Sequence, residues 1–79
     1  MNTTAAEYIE VQVTFQGLRA EAARAMTLSL EDLTMFYNAA ASIFYTFRPR
    51  NDDAAVLFAN EAYHLMRDFS EAMYAACGY

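Results

Sequence analysis

Apolar residues recur in the first third of the chain at Tyr8, Val11, Phe15, Leu18, Ala22 and Ala25. Those alternating steps of three and four place them on one stripe of a helix. Thr4 and Glu7 stand as a T-x-x-E capping box, in which each side chain can satisfy the other's backbone amide, so a helix is expected over about 5–26. A second pattern overlaps its first half. Ile9, Val11, Val13 and Phe15 alternate with Glu10, Gln12 and Thr14, the period of a half-buried strand. A strand needs a mate, and no other segment alternates in this way. Helix is therefore the expectation for residues 9–15, with Gly17 a weak point or a place of close packing.

The second segment opens with Ser29 at an N-cap and Asp32 three residues on, while Leu28 and Leu33 are spaced to staple the helix start. Leu30, Leu33, Tyr37, Ala40, Phe44 and Phe47 form one stripe, and Met35, Phe36, Ile43 and Tyr45 widen it. From Leu33 to Phe47 there is no charge at all. That run is shorter than the roughly 20 residues a membrane span needs, so no membrane is expected, and it reads as a central helix over 30–47. Arg48-Pro49 ends it, because the residue before a proline avoids helical geometry.

The third helix is expected over 53–77. Asp52 and Asp53 complement the dipole of its first turn, and Gly78 is suited to a left-handed cap. Ala55, Ala59, Ala62, Met66, Phe69, Met73 and Ala76 make its apolar seam, opposite Asn60, Glu61, His64, Arg67, Asp68 and Glu71. Three helices joined by short loops predict an all-α fold, a three-helix antiparallel bundle in a single domain over 1–79.

Length then bears on association. A chain of 79 residues buries only about 60% of its unfolded surface, and small proteins of this kind add disulfides, a metal or a second subunit. Cys77 is the one cysteine and has no partner within the chain. Two flanking helices leave part of the wide apolar surface of the middle helix uncovered, which predicts a homodimer formed through that helix.

Charge narrows the partners. Ten acids against five arginines give a net charge of −5 without a single lysine, the opposite of the basic footprint that DNA or RNA binding requires. Such a field favours a basic protein. The start of the chain lacks the cationic and apolar segments of a signal peptide, and a lone free thiol fits a reducing compartment. A cytoplasmic location is the expectation.

Catalytic and metal chemistry find little footing. Glu61-x-x-His64 has the spacing used by di-iron carboxylate bundles, but its helical angle points away from the Met66, Phe69 and Met73 seam, so no metal and no cofactor are expected. On that solvated face His64 is expected to be held by Glu61 and Asp68. Cys77 lies more than three turns from His64, and a nucleophile needs its base within reach. No enzyme activity is expected.

One short stretch resembles a known family. Leu28, Ser29, Leu33, Phe36, Tyr37, Ala39 and Ala40 reproduce an LSxxxLxxFYxAA pattern seen in the haemolysin-expression-modulating (Hha/YmoA) proteins. That resemblance covers thirteen residues and implies a small helical co-regulator of a nucleoid protein. Ala41 stands where that family has an acidic residue, SIFYTF replaces its charged helix, and the tryptophan-bearing C-terminal element is missing, so no functional residue is carried over.

The expectation from sequence is a small acidic, non-enzymatic protein-binding regulator or inhibitor that occupies a basic surface of a larger protein. In size, charge and lack of motifs it is similar to the inhibitors that phages and mobile elements encode, anti-CRISPR proteins among them. A secretion-type chaperone or adaptor for a helical partner is the alternative. The residues expected to meet a partner or a second copy are Phe36, Tyr37, Ile43, Phe44, Tyr45 and Phe47 on the central helix. Arg48 and Arg50 beside Pro49 join them as forked donors, as do Tyr63, an aromatic with a polar tip, and Glu61, Asp68 and Glu71 on the acidic face.

Overall fold

The Thr4 hydroxyl accepts from the Glu7 amide at 3.1 Å while the Glu7 carboxylate accepts from the Thr4 amide at 3.0 Å, and the first helix, α1, runs Ala5–Ala23 from that closed box. In the computed structural model, which describes residues 2–78, two further α-helices follow: α2 over Leu30–Phe47 and α3 over Asp53–Ala76. Ser29 caps α2 by accepting from the Asp32 amide at 3.1 Å. Asp52 caps α3 by accepting from the Ala55 amide at 3.2 Å. No strand occurs among the described residues, and 9–15 lie inside α1.

Two helix ends differ from expectation, each for a local reason. The first helix leaves α geometry after Ala23 rather than near Met26, because Leu28 and Ser29 are extended to start the next element. The intervening turn tightens to a 3-10 helix over Ala25–Thr27, and the Thr27 hydroxyl satisfies the Arg24 carbonyl at 2.7 Å. At the end of α2, Arg48 keeps helical torsion angles in spite of Pro49. What stops the helix is the amide that proline lacks, and the next amide, on Arg50, closes a turn onto the Phe47 carbonyl at 3.0 Å. Gly78 has the expected left-handed backbone, φ +82°.

The helices pack unequally. Pairs across α2 and α3 step in opposite directions along the two helices: Phe47 on Phe58 at 5.2 Å, Phe44 on Tyr63 at 6.1 Å, Phe36 on Phe69 at 5.8 Å between ring centroids. These two helices are antiparallel and form the most extensive contact in the chain. The first helix leans on them through Val11, Phe15 and Leu18 and shares far less surface. Tyr8, Phe15 and Phe47 converge on Phe58, with centroids 5.3, 5.8 and 5.2 Å away. Phe58 thus joins all three helices. It stands one residue before Ala59 of the expected seam, and so do Leu65 and Ala72 before Met66 and Met73, which widens the buried face of α3 towards α1.

The uncharged run on α2 is covered in part within the chain. Leu33, Ala40 and Phe47 are buried, and Phe36, Tyr37, Ile43 and Phe44 are half-buried against the core. Thr34, Asn38, Ser42 and Thr46 occupy the opposite, exposed side. Thr34 and Thr46 return their hydroxyls to the carbonyls of Leu30 and Ser42 at 2.9 and 2.8 Å. On α2 itself Tyr45 stays 63% and Met35 56% exposed, and α1 adds Ile9 at 65% and Val13 at 63%. Gly17 is not a place of close packing within the chain, since a Cβ built there meets nothing within 4 Å.

Candidate interaction surface

Helical spacing along α2 brings Tyr37, Ala41, Tyr45 and Arg48 to one edge of that helix, beside Phe44. On α3 the same spacing aligns Tyr63, Arg67, Ser70 and Tyr74. The two edges meet on the side that α1 leaves open. Phe44 sits edge-on to Tyr45 at 5.2 Å and against Tyr63 at 6.1 Å, and the Arg48 guanidinium lies 5.6 Å above the Phe44 ring. A turn further along, Tyr37, Tyr63, Met66, Arg67 and Ser70 line a shallow depression of about 200 Å³. Tyr45 is 63% and Tyr63 54% exposed.

The composition of this face departs from that of the chain. Its charged members are Arg48 and Arg67, and none of the residues around the depression is acidic, although the chain carries −5. Tyrosine and arginine are the residue types that most often dominate binding energy at protein interfaces. Tyrosine offers a large rigid area with a hydrogen-bonding tip, and an arginine stacked on a ring holds its donors at low entropic cost.

The residues singled out from sequence distribute over three environments. Tyr37, Phe44, Tyr45, Arg48 and Tyr63 come together on this face. Phe36 and Ile43 are half-buried in the core packing, and Phe47 is enclosed at 3% exposure, which takes it away from any partner. Arg50 is likewise committed: it is half-buried, donates to both carboxylate oxygens of Glu7 at 3.0 and 3.1 Å, and lies 4.7 Å over the Phe47 ring. That arrangement holds the Glu7 carboxyl down at about 2, chiefly through the bond from Arg50, with the Thr4 amide adding to it.

The acidic candidates separate in the same way. Glu61 forms an ion pair with Arg19 across α1 and α3, so it does not hold His64 as the spacing suggested; His64 is exposed, with its ring edge-on to Tyr63 at 5.9 Å. Asp68 and Glu71 are exposed on the outer side of α3. Glu71 follows Arg67 by one turn and borders the tyrosine face. Arg67 is the residue that sequence reasoning placed only on a wet face. Its one signal was its spacing of four from Tyr63.

A second hollow lies between α1 and α3. Tyr8, Gln12, Leu57, Phe58 and Leu65 line an open cleft of about 530 Å³ with the Arg19 and Glu61 pair and His64 on its rim. It exists because α1 crosses α3 with little contact and leaves Leu57 uncovered at 67%. Its polar groups are spread around the rim rather than convergent, unlike a site built for a small molecule. Among the described residues no group of three His, Cys, Asp or Glu side chains is placed to hold a metal ion, and no helix is long and apolar enough to cross a membrane.

No protein-family model matches the chain, and neither does any curated protein or solved structure. The thirteen-residue pattern shared with the haemolysin-expression-modulating proteins has a local physical content here. Ser29 is the α2 cap, Leu33 and Ala40 are the buried positions of its inner face, and Leu28, Phe36, Tyr37 and Ala39 are its half-buried flanks.

Proposed function

We propose that this protein is a non-enzymatic regulator that acts by binding a larger, basic protein, itself working as a homodimer. The observation that supports this most is the tyrosine and arginine face of α2 and α3: Tyr45, Tyr63, Arg48 and Arg67 are grouped and exposed beside the half-buried Tyr37 on an antiparallel pair of helices, with a depression between them. Side chains on regular elements are positioned more sharply than those on loops. The rings supply the apolar anchor there, and Glu71 at the border of the face meets the partner's cations while the net charge acts at longer range. Negative potential from Asp53, Asp68, Glu71 and the other exposed acids accelerates encounter with a basic surface and disfavours acidic competitors. In size, charge and lack of motifs the chain is similar to the small inhibitors that phages and mobile elements direct against host proteins.

Capture from a host lysate on immobilised protein tests the reading when run beside the Tyr45→Ala/Tyr63→Ala variant. Retention of one specific protein by the wild type, lost with the variant and slower to form at high salt, is the expected result. Equal recovery on both columns, or none on either, overturns it.

A further inference from the structure

Exposed apolar side chains occur on all three helices, and what separates Leu57 from the rest is the hollow beside it. The cleft between α1 and α3 measures about 530 Å³, against about 200 Å³ for the depression beside Tyr37. Phe58 and Leu65, both nearly enclosed, form its floor, and Tyr8 and Leu57 stand exposed on its walls. From Tyr8 to Arg19 the α1 wall rises about 17 Å, three turns of helix.

The two rims differ in charge. Helical spacing aligns Asp53, Leu57, Glu61, His64 and Asp68 along one line of α3, with Asp53 four residues before Leu57 and Asp68 four after His64. On the α1 side stand Gln12 and Arg19, and Arg19 is taken up by its ion pair with Glu61. Asp53 and Asp68 are exposed and join no ion pair among the described residues. The α3 rim is therefore acidic at both ends, and the α1 rim is neutral.

We infer that this cleft receives an amphipathic helix of a partner protein, with its apolar stripe over Leu57, Phe58 and Leu65 and a basic flank against Asp53 and Asp68. Both walls are helices whose backbone groups bond within themselves, so an extended segment finds no strand to pair with and leaves its own amides unmatched. A helix brings its backbone bonds with it. Charge fixes which flank lies where: lysine or arginine faces α3, and neutral polar residues face Gln12 on α1. A second copy of this chain fits badly, because its exposed stripe of Ile9 and Val13 runs beside Glu10 and Glu21, which would meet the acidic rim. This goes beyond the reading above, since the cleft lies on the opposite flank of α3 from Tyr63 and Arg67.

The probe is a synthetic helical peptide of about 14 residues with leucine at i, i+4, i+7 and i+11, lysine along one flank and glutamine along the other. Its twin carries glutamate for lysine. Titration from about 1 µM to 1 mM, a window suited to single-helix contacts, is followed by anisotropy of labelled peptide and by amide shifts in isotope-labelled protein. The lysine peptide is expected to bind with shifts concentrated at Tyr8, Leu57 and Leu65, and the glutamate twin at least about tenfold more weakly, since like charges would face each other. Leu57→Gln should weaken the lysine peptide about tenfold, the effect of one lost apolar anchor, with helical circular dichroism unchanged. Asp53→Asn/Asp68→Asn should narrow the gap between the two peptides, and Tyr45→Ala should bind as the wild type does. No binding at the highest concentration, equal binding of the two peptides, or shifts centred on Tyr45 and Tyr63 overturns the assignment. Shifts at the cleft amides on concentrating the protein alone would seat a second copy there and overturn it as well. Lysate capture through the tyrosine face is read without peptide, so either reading can fail alone.

Discussion

Arg50 and Glu7, forty-three positions apart, meet through two hydrogen bonds of 3.0 and 3.1 Å, and that fork ties the loop between α2 and α3 to the first turn of α1. Glu7 serves twice, since the same carboxylate closes the capping box on Thr4. Its folded pKa of about 2 lies below the ordinary value of 4.5. The unfolded chain therefore binds the proton more readily, and the stability from this group is present above pH 4.5 and is lost as pH falls from 4.5 towards 2. Acid titration followed by circular dichroism should show the wild type losing stability across that window. Glu7→Gln should lose most of this dependence, and Arg50→Ala should move the acid midpoint upward.

Gly17 offers a test of opposite sign. Alanine at that position meets open space and has the higher helix propensity, so Gly17→Ala should stabilise the monomer by about 1 kcal/mol. For a domain of this size that corresponds to a rise of roughly 4–8 °C in thermal midpoint. Calorimetry or thermal circular dichroism reads it.

Phe58 should be the least tolerant position. It is 4% exposed and carries contacts from Tyr8, Phe15 and Phe47, so Phe58→Ala leaves a cavity shared by three helices. Such truncations cost about 3–5 kcal/mol, against a total of about 5–15 kcal/mol for a whole domain, with small chains at the lower end. Urea titration should find Phe58→Ala with little stability left, its midpoint shifted close to zero denaturant.

Tyr45 and Arg67 should behave in the converse way. Both are exposed, so alanine at either should change stability by no more than about 0.5 kcal/mol, the usual range for surface sites. Loss of an interface anchor costs at least about 2 kcal/mol of binding, roughly a thirtyfold weaker dissociation constant. Parallel measurement of urea midpoint and partner affinity separates binding residues from folding ones, and Phe47→Ala should fail in the first assay.

Much of the fold was legible in the chain because its signals are local. Thr4 and Glu7, Ser29, and Asp52 mark helix starts through bonds spanning three residues, and the Val11, Phe15 and Leu18 stripe follows from the period of the helix alone. The last turn of α1 was less legible, since Arg24 to Thr27 contain no glycine or proline and their tightening answers to the extended Leu28 and Ser29. At Arg48 a general preference misled. Its torsion angles stay helical, and Pro49 acts through its missing amide.

The grouping of side chains between α2 and α3 was half legible. Tyr37, Phe44, Tyr45, Arg48 and Tyr63 were visible as aromatic or forked groups, whereas Arg67 looked like one more solvated charge until α2 placed Tyr37 beside it. Phe47, Arg50 and Glu61 were misplaced because their partners, Phe58, Glu7 and Arg19, come from other helices.

The sequence by itself determined that there are three helices, where they are capped, and which side of each is apolar, since all of these depend on contacts within a few residues. Only the tertiary structure decided which apolar side is covered. Packing of α3 on α2 enclosed Leu33, Ala40 and Phe47 and left Met35 and Tyr45 exposed, and the slighter contact of α1 left Ile9 and Val13 in water. Helical period orients a side chain about its own axis, and the depth of burial depends on how closely a neighbouring axis approaches.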